Sequence, residues 1–257
     1  MLLVVDVGNT ETVLGLFGEK ALEARWRMSS RVPRTGDEVW ILLKLWCETS
    51  GFRTSDIAGV VVSSVVPTWT SVFADLSRIR LSQEPLIVDA DLDTGLTVLI
   101  DSPQTVGADR ICNAVAGFAR FGGPLVVIDF GTATTFDVIS PKGEYLGGVI
   151  TLGLHGLSQE LHRVAAKLPK VDLVFPPAVV GRTTETCMQS GVMWGTLCMM
   201  EGMVDRIVRE MGWNDCRIVA TGGIAPLVIG RSKIACRIEP DLTLEGMRIL
   251  YQRHCHT

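Results

Sequence analysis

Two segments of the chain place an aspartate, a glycine and small hydroxyl or amide side chains directly after an apolar run. The first is Asp6-Val7-Gly8-Asn9-Thr10 after Leu2-Leu-Val-Val5, and the second is Asp129-Phe-Gly131-Thr132-Ala133 after Leu125-Val-Val-Ile128. Such a turn suits phosphate. Gly8 lets the backbone fold tightly and approach a ligand, Asn9 and Thr10 offer donors beside backbone N–H groups, and Asp6 can hold a cation or its waters. Taken alone, one copy also reads as an ordinary Asx-type hairpin turn. Two copies weigh against that reading, because 4–13 and 127–136 align without gaps, 123 residues apart and close to half of the 257-residue chain.

A second kind of chemistry is carried by Gly107-Ala108-Asp109-Arg110, which opens a helical pattern continued by Ile111, Val115 and Phe118. Asp109 has two readings: a first-turn carboxylate favoured by the helix dipole, or a base that takes the proton of an attacking hydroxyl while Arg110 pairs with an anionic group. Thr221-Gly-Gly223 follows the apolar stretch 217–220 and could pass close to a base or ribose, although strand-to-helix turns also carry Gly-Gly for packing. The chain has neither G-x-x-x-x-G-K-[S/T] nor a G-x-G-x-x-G after its first strand. His155 and His162 are seven residues apart, about two helical turns, but a metal site wants more ligands nearby. His254-Cys-His256 reads as a frayed tail.

These residues need elements to hold them. Val-rich runs at 2–5, 13–17, 60–62, 86–88, 125–128, 136–139 and 217–220 predict buried strands. Apolar residues at three and four spacing predict helices over 35–49 and 108–121, so strands alternate with helices in an α/β fold. A longer helix, 184–211, has apolar residues on more than one face. Gly191, Gly195 and Gly202 would let another backbone approach it, so a subunit interface and a central core helix both remain open. The internal echo predicts two similar α/β domains, 1–121 and 122–257, with a cleft between them as the natural ligand site.

Composition bounds the function. Lys+Arg 24 against Asp+Glu 28 gives a net charge of −4 with no basic block, which argues against nucleic acid as the main partner. A hydrophobic fraction of 47% with 20% charged residues suits a globular protein, and no run is long enough for a membrane span. Met1-Leu-Leu-Val-Val5 lacks a basic segment and is cut off by Asp6, so it reads as a strand and not a signal peptide, and a cytoplasmic location is expected. The seven cysteines are scattered without a C-x-x-C pair, which predicts reduced thiols and no zinc site.

Taken in order, Asp6 to Thr10, Gly107 to Arg110, Asp129 to Ala133, Gly147-Gly-Val-Ile150, Gly181-Arg-Thr-Thr184 and Thr221-Gly-Gly223 resemble the type III pantothenate kinases over nearly the whole chain. The resemblance implies a two-domain actin-like, ribonuclease-H-like fold. It also implies ATP-dependent phosphorylation of the terminal hydroxyl of pantothenate, the first step of coenzyme A synthesis. By resemblance, Asp6, Val7, Gly8, Asn9, Thr10, Glu11, Thr12 and Val13 form the first phosphate loop, with Asp6 near Mg²⁺, directly or through water. Thr132 is a second nucleotide contact and Asp109 the catalytic base. Gly107, Ala108, Asp109 and Arg110 line the pantothenate site, with Arg110 suited to its carboxylate. Thr184 resembles a substrate contact contributed across a homodimer, and Asp129 resembles the ligand of a monovalent cation, potassium or ammonium. Two positions depart from the family pattern: Leu152 stands where proline is common, and Leu99, Ile100 and Asp101 stand where many members have a tyrosine. Competing readings are a non-catalytic regulatory relative that binds nucleotide or a partner, and an actin-like kinase or phosphatase with another small substrate.

Overall fold

The β-branched run that begins at Leu2 forms β1 (Leu2–Val7), the centre of a sheet in a computed structural model that describes residues 1–19, 21–165 and 168–255. Two antiparallel neighbours, β2 (Glu11–Phe17) and β3 (Leu22–Ser29), build out one side. On the other side lie β4 (Gly59–Ser64), parallel to β1, and β5 (Leu86–Val88), parallel to β4, giving the order β3-β2-β1-β4-β5. Alternation along β1 sends Leu3, Val5 and Val7 into one core with α1 (Gly36–Thr49) and α2 (Pro67–Leu76). Leu2 and Val4 enter a second core with α3 (Ala108–Phe121) and α7 (Leu242–Cys255), and Asp6 shares their face. With both faces covered, β1 and β4 need apolar residues at nearly every position, which is why they read as continuous runs. A two-residue strand, β6 (Thr97–Val98), precedes α3. Thr35 starts α1 with a capping box: its hydroxyl accepts from Glu38 N–H, and the Glu38 carboxylate accepts from Thr35 N–H at 2.7 Å.

The second unit repeats this plan. β7 (Leu125–Phe130) is flanked by antiparallel β8 (Ala133–Ile139) and β9 (Glu144–Leu152) on one side. Parallel β10 (Arg217–Thr221) and β11 (Arg237–Ile238) flank it on the other, in the order β11-β10-β7-β8-β9. Val126, Ile128, Phe130, Phe136 and Val138 face a core closed by α4 (Leu154–Val164), α5 (Thr184–Glu210) and α6 (Ala225–Ile229). In each unit the central strand carries the aspartate near its carboxyl end, where open α/β sheets place their ligands.

Three features differ from the sequence reading. The gapless echo breaks at the turn: three residues separate β1 from β2, but only two separate β7 from β8. Asp6 pairs with Val13, whereas Asp129 pairs with Thr135, so the structural counterpart of Phe136 is Leu14 and not Val13. The segment that starts at Asp241 clusters with Met1–Ala119, not with Arg120–Pro240, so 122–257 does not fold as one body. The cause is α7, whose Leu244, Met247 and Leu250 bury against Leu2 and Val4 of the first sheet. The tail expected to fray therefore includes an ordered last turn, in which His254 Nε2 lies 2.8 Å from the Asp93 carbonyl, while His256 lies outside the described residues.

The core reading of α5 holds for one of its faces. Val192, Met193, Leu197, Met200, Val204 and Ile207 pack into the core of the second unit, yet a side chain added at Gly191, Gly195 or Gly202 would meet nothing within 4 Å. Among the described residues, no helix is long and apolar enough to cross a membrane.

Candidate active site

In the first unit the turn after β1 is closed by Gly8 N–H donating to the Glu11 carbonyl at 3.0 Å. Ser30 braces its far side, donating from N–H to the Thr10 carbonyl at 3.0 Å and meeting the Thr12 hydroxyl at 2.8 Å. Val7 and Thr12 are buried, so their side chains hold the turn and only their backbone can face a ligand. Asn9 and Glu11 are exposed, and Gly8, Thr10 and Val13 are half-buried. Asp6 is half-buried as well, and Ser63, its register partner on β4, donates from Oγ to Asp6 Oδ1 at 3.2 Å.

The helix α3 brings the second carboxylate to this end of the sheet. Its first intrahelical bond runs from Ile111 N–H to the Gly107 carbonyl, 3.1 Å, and Asp109 lies in its first turn. Asp109 Oδ1 accepts from Arg110 N–H at 2.9 Å and folds back over Gly107, where an added side chain would lie 2.5 Å from it. The helix dipole favours the charge there. Asp109 is thus the first-turn carboxylate that the sequence suggested. Cys112, one turn further on, is fully buried. Burial, with the Asp6 and Asp109 carboxylates beside it, pushes the Cys112 thiol well above its ordinary range, while the Ser63 hydroxyl pulls the other way through a hydrogen bond. Asp6, Ser63, Cys112 and Asp109 thus form one neighbourhood, flanked by a half-buried Arg110 and a buried Ala108.

In the second unit Asp129 is half-buried and faces Thr221 across the β7–β10 pairing. Gly222, at φ +92°, lets the backbone close on this corner: a Cβ there would lie 2.6 Å from the Phe130 carbonyl oxygen and 2.8 Å from Asp129 Oδ1. Thr132 is exposed at the tip of the turn, and its carbonyl accepts from Gly153 N–H at 3.1 Å. Leu152, at the position where proline was expected, continues β9 to its last residue and is half-exposed, so the strand enters α4 through Gly153 without a break. Thr184 is exposed as the first residue of α5, behind the capping pair Thr183 and Thr186.

His155 is exposed, and the ring of His162 meets the Leu168 carbonyl. Among the described residues, no group of three or more His, Cys, Asp and Glu could hold a metal ion by itself. Sequence reasoning missed Ser63. Its signal was present in Ser63-Ser64, small hydroxyls ending the buried run 60–62 at the carboxyl end of a parallel strand.

The model of the type III pantothenate kinase family matches residues 2–206. The chain belongs to that family. It is 45% identical over 254 residues to the type III pantothenate kinase of Moorella thermoacetica, which covers 99% of this chain and 100% of the relative. Among solved structures, a Campylobacter jejuni protein assigned to the Baf family of transcriptional activators superposes with a TM-score of 0.63. It shares 18% identity over 99% of this chain and 100% of that one. An inorganic polyphosphate/ATP-glucomannokinase from Arthrobacter sp. strain KM superposes with a TM-score of 0.50, at 18% identity over 98% of this chain and 99% of that one. At these identities the superpositions show the fold alone: two ribonuclease-H-like units of the actin-like kinase type. As a type III pantothenate kinase the chain phosphorylates pantothenate in coenzyme A biosynthesis. ATP supplies the phosphoryl group in such a kinase, and a divalent cation accompanies its phosphates.

Proposed function

We propose that Asp109 is the catalytic base of this kinase and that Asp6, with the turn from Val7 to Val13, holds the nucleotide phosphates and their cation. The observation that carries this is the shared neighbourhood of Asp6 and Asp109 around Cys112, which puts a phosphate-loop carboxylate and a helix-borne carboxylate at one end of one sheet. Asp109 takes the proton of the terminal hydroxyl of pantothenate as that oxygen attacks the γ-phosphorus in line, and ADP leaves. Arg110 pairs with the pantothenate carboxylate, and Gly107 and Ala108 give the substrate room at the start of α3. Asp6 would hold, directly or through water, Mg²⁺, an ion that binds one or two carboxylates together with phosphates and waters. Bound with the nucleotide, such an ion would supply positive charge against the phosphate oxygens during transfer.

In the second unit Thr132, exposed beside Gly153, contacts the nucleotide. Asp129, with the Phe130 carbonyl close by, offers oxygen donors to potassium or ammonium. Thr184 reaches substrate across a homodimer in the cytoplasm, and the open glycine face of α5 supports such a pairing. The test is the Arg110→Ala enzyme assayed in potassium and in sodium. The expected result is a rise of about tenfold or more in the KM for pantothenate with the KM for ATP unchanged, and higher turnover in potassium. A rise confined to the KM for ATP would move Arg110 to the nucleotide, and equal rates in the two salts would remove the cation from Asp129.

A further inference from the structure

We infer that Ser63 is a positioning residue of the kinase: its hydroxyl fixes the Asp6 carboxylate in the orientation that receives the nucleotide-bound cation. This rests on the reading of Asp6 proposed above. Ser63 is fully buried, and its Oγ lies 3.2 Å from Asp6 Oδ1. Ser63 carries a single hydroxyl proton, and it is donated to Asp6 Oδ1. The bond runs from a fully buried hydroxyl to a half-buried carboxylate at the end of β1. The bond at Oδ1 limits how the Asp6 carboxylate can turn.

The second unit has the same arrangement by position. Thr221, 2% exposed, is the register partner of Asp129 on the neighbouring parallel strand, as Ser63 is of Asp6. In each unit the turn aspartate of the central strand therefore has a buried hydroxyl residue beside it. Partners that orient a metal-binding group typically change metal affinity or activity by about 10–100-fold when removed.

The experiment compares Ser63→Ala, Ser63→Thr, Asp6→Asn and the Ser63→Ala/Asp6→Asn double variant. For each, kcat, the KM values for MgATP and pantothenate and the Mg²⁺ concentration giving half-maximal rate are measured beside thermal unfolding. Ser63→Ala is expected to raise the half-saturating Mg²⁺ and the KM for MgATP by about tenfold, with the KM for pantothenate unchanged. Ser63→Thr, which keeps the hydroxyl and matches the residue used beside Asp129, restores both. In the Asp6→Asn background the Ser63→Ala change has no further effect on kcat/KM for MgATP. If Ser63→Ala does not fold, Ser63→Cys, of similar size but a weak donor, carries the same comparison. Normal Mg²⁺ and MgATP dependence in a folded Ser63→Ala enzyme would overturn the inference, as would an effect that persists undiminished in the Asp6→Asn background. Normal kinetics of Asp6→Asn alone would instead overturn the placement of the cation at Asp6.

Discussion

Replacing Gly246 by alanine pits two effects of opposite sign against each other, and the structure decides between them. In an exposed helix, glycine to alanine stabilises by about 1 kcal/mol through backbone entropy and propensity. Gly246 is buried where α7 crosses α3, and a methyl there would lie 2.5 Å from the Cys112 carbonyl carbon, 2.8 Å from its Cα and nearer still to its oxygen. Ordinary contact begins at 3.4 Å, so the two helices would have to part by about 1 Å, because helix backbone cannot rotate aside as a side chain can. Parting them loosens Leu244, Met247 and Leu250 from Val4, Ile111 and Val115. Overpacking of this kind costs about 3 kcal/mol, which outweighs the propensity gain and lowers Tm by about 6 °C. Asp109 is one turn from Cys112 on the displaced helix, and a shift of about 1 Å at a catalytic group can cost about a hundredfold in rate. Differential scanning fluorimetry and a coupled ADP-release assay on Gly246→Ala read both effects. A variant more stable than wild type, with unchanged kcat, would refute the close crossing and the reasoning built on it.

Gly222→Ala forces a side chain into a left-handed conformation at φ +92° and against the Phe130 carbonyl, so it should raise the KM for ATP while the KM for pantothenate holds. Unchanged ATP dependence would place that corner outside the nucleotide site. Burial pushes the Cys216 thiol up to about 11 and the Cys236 thiol up to about 12, from an ordinary value of 9.0. Above pH 9 the unfolded chain releases these protons while the folded chain keeps them, so this stabilisation is complete below pH 9 and is lost as pH rises toward 12. The urea midpoint should fall between pH 8 and pH 10.5, and less steeply in Cys236→Val. An identical slope in that variant would contradict the assignment.

The central strands and the turns that carry Asp6 and Asp129 were legible because both depend on local pattern. β1 and β7 are buried on both faces, so their apolar runs are continuous, and a glycine two residues after each aspartate marks the turn. β3 was not legible: its positions alternate between half-buried and exposed, with Arg25 and Arg27 on the outer face and no apolar run to betray it. β9 hid for a related reason, since it exposes Ile150 and Leu152. The shorter second turn was masked by Thr134 and Thr135, because either threonine can be matched to Thr12 and the apolar pattern survives the one-residue slip. α7 is fixed by Gly246 meeting Cys112, a contact 134 positions apart in sequence that no local periodicity encodes. Ser63 was unread because a serine ending a valine run looks like an ordinary strand end until its partner across the ladder is known to be Asp6.

The most direct test of the account is the rate of ATP-dependent 4′-phosphopantothenate formation by Asp109→Asn beside wild type, with both proteins shown to be folded. Loss of a positioned general base predicts a fall in kcat of about 10²–10⁴-fold with the KM for ATP little changed. An Asp109→Asn enzyme that turns over pantothenate at the wild-type rate would contradict the assignment of the base and the site built around it.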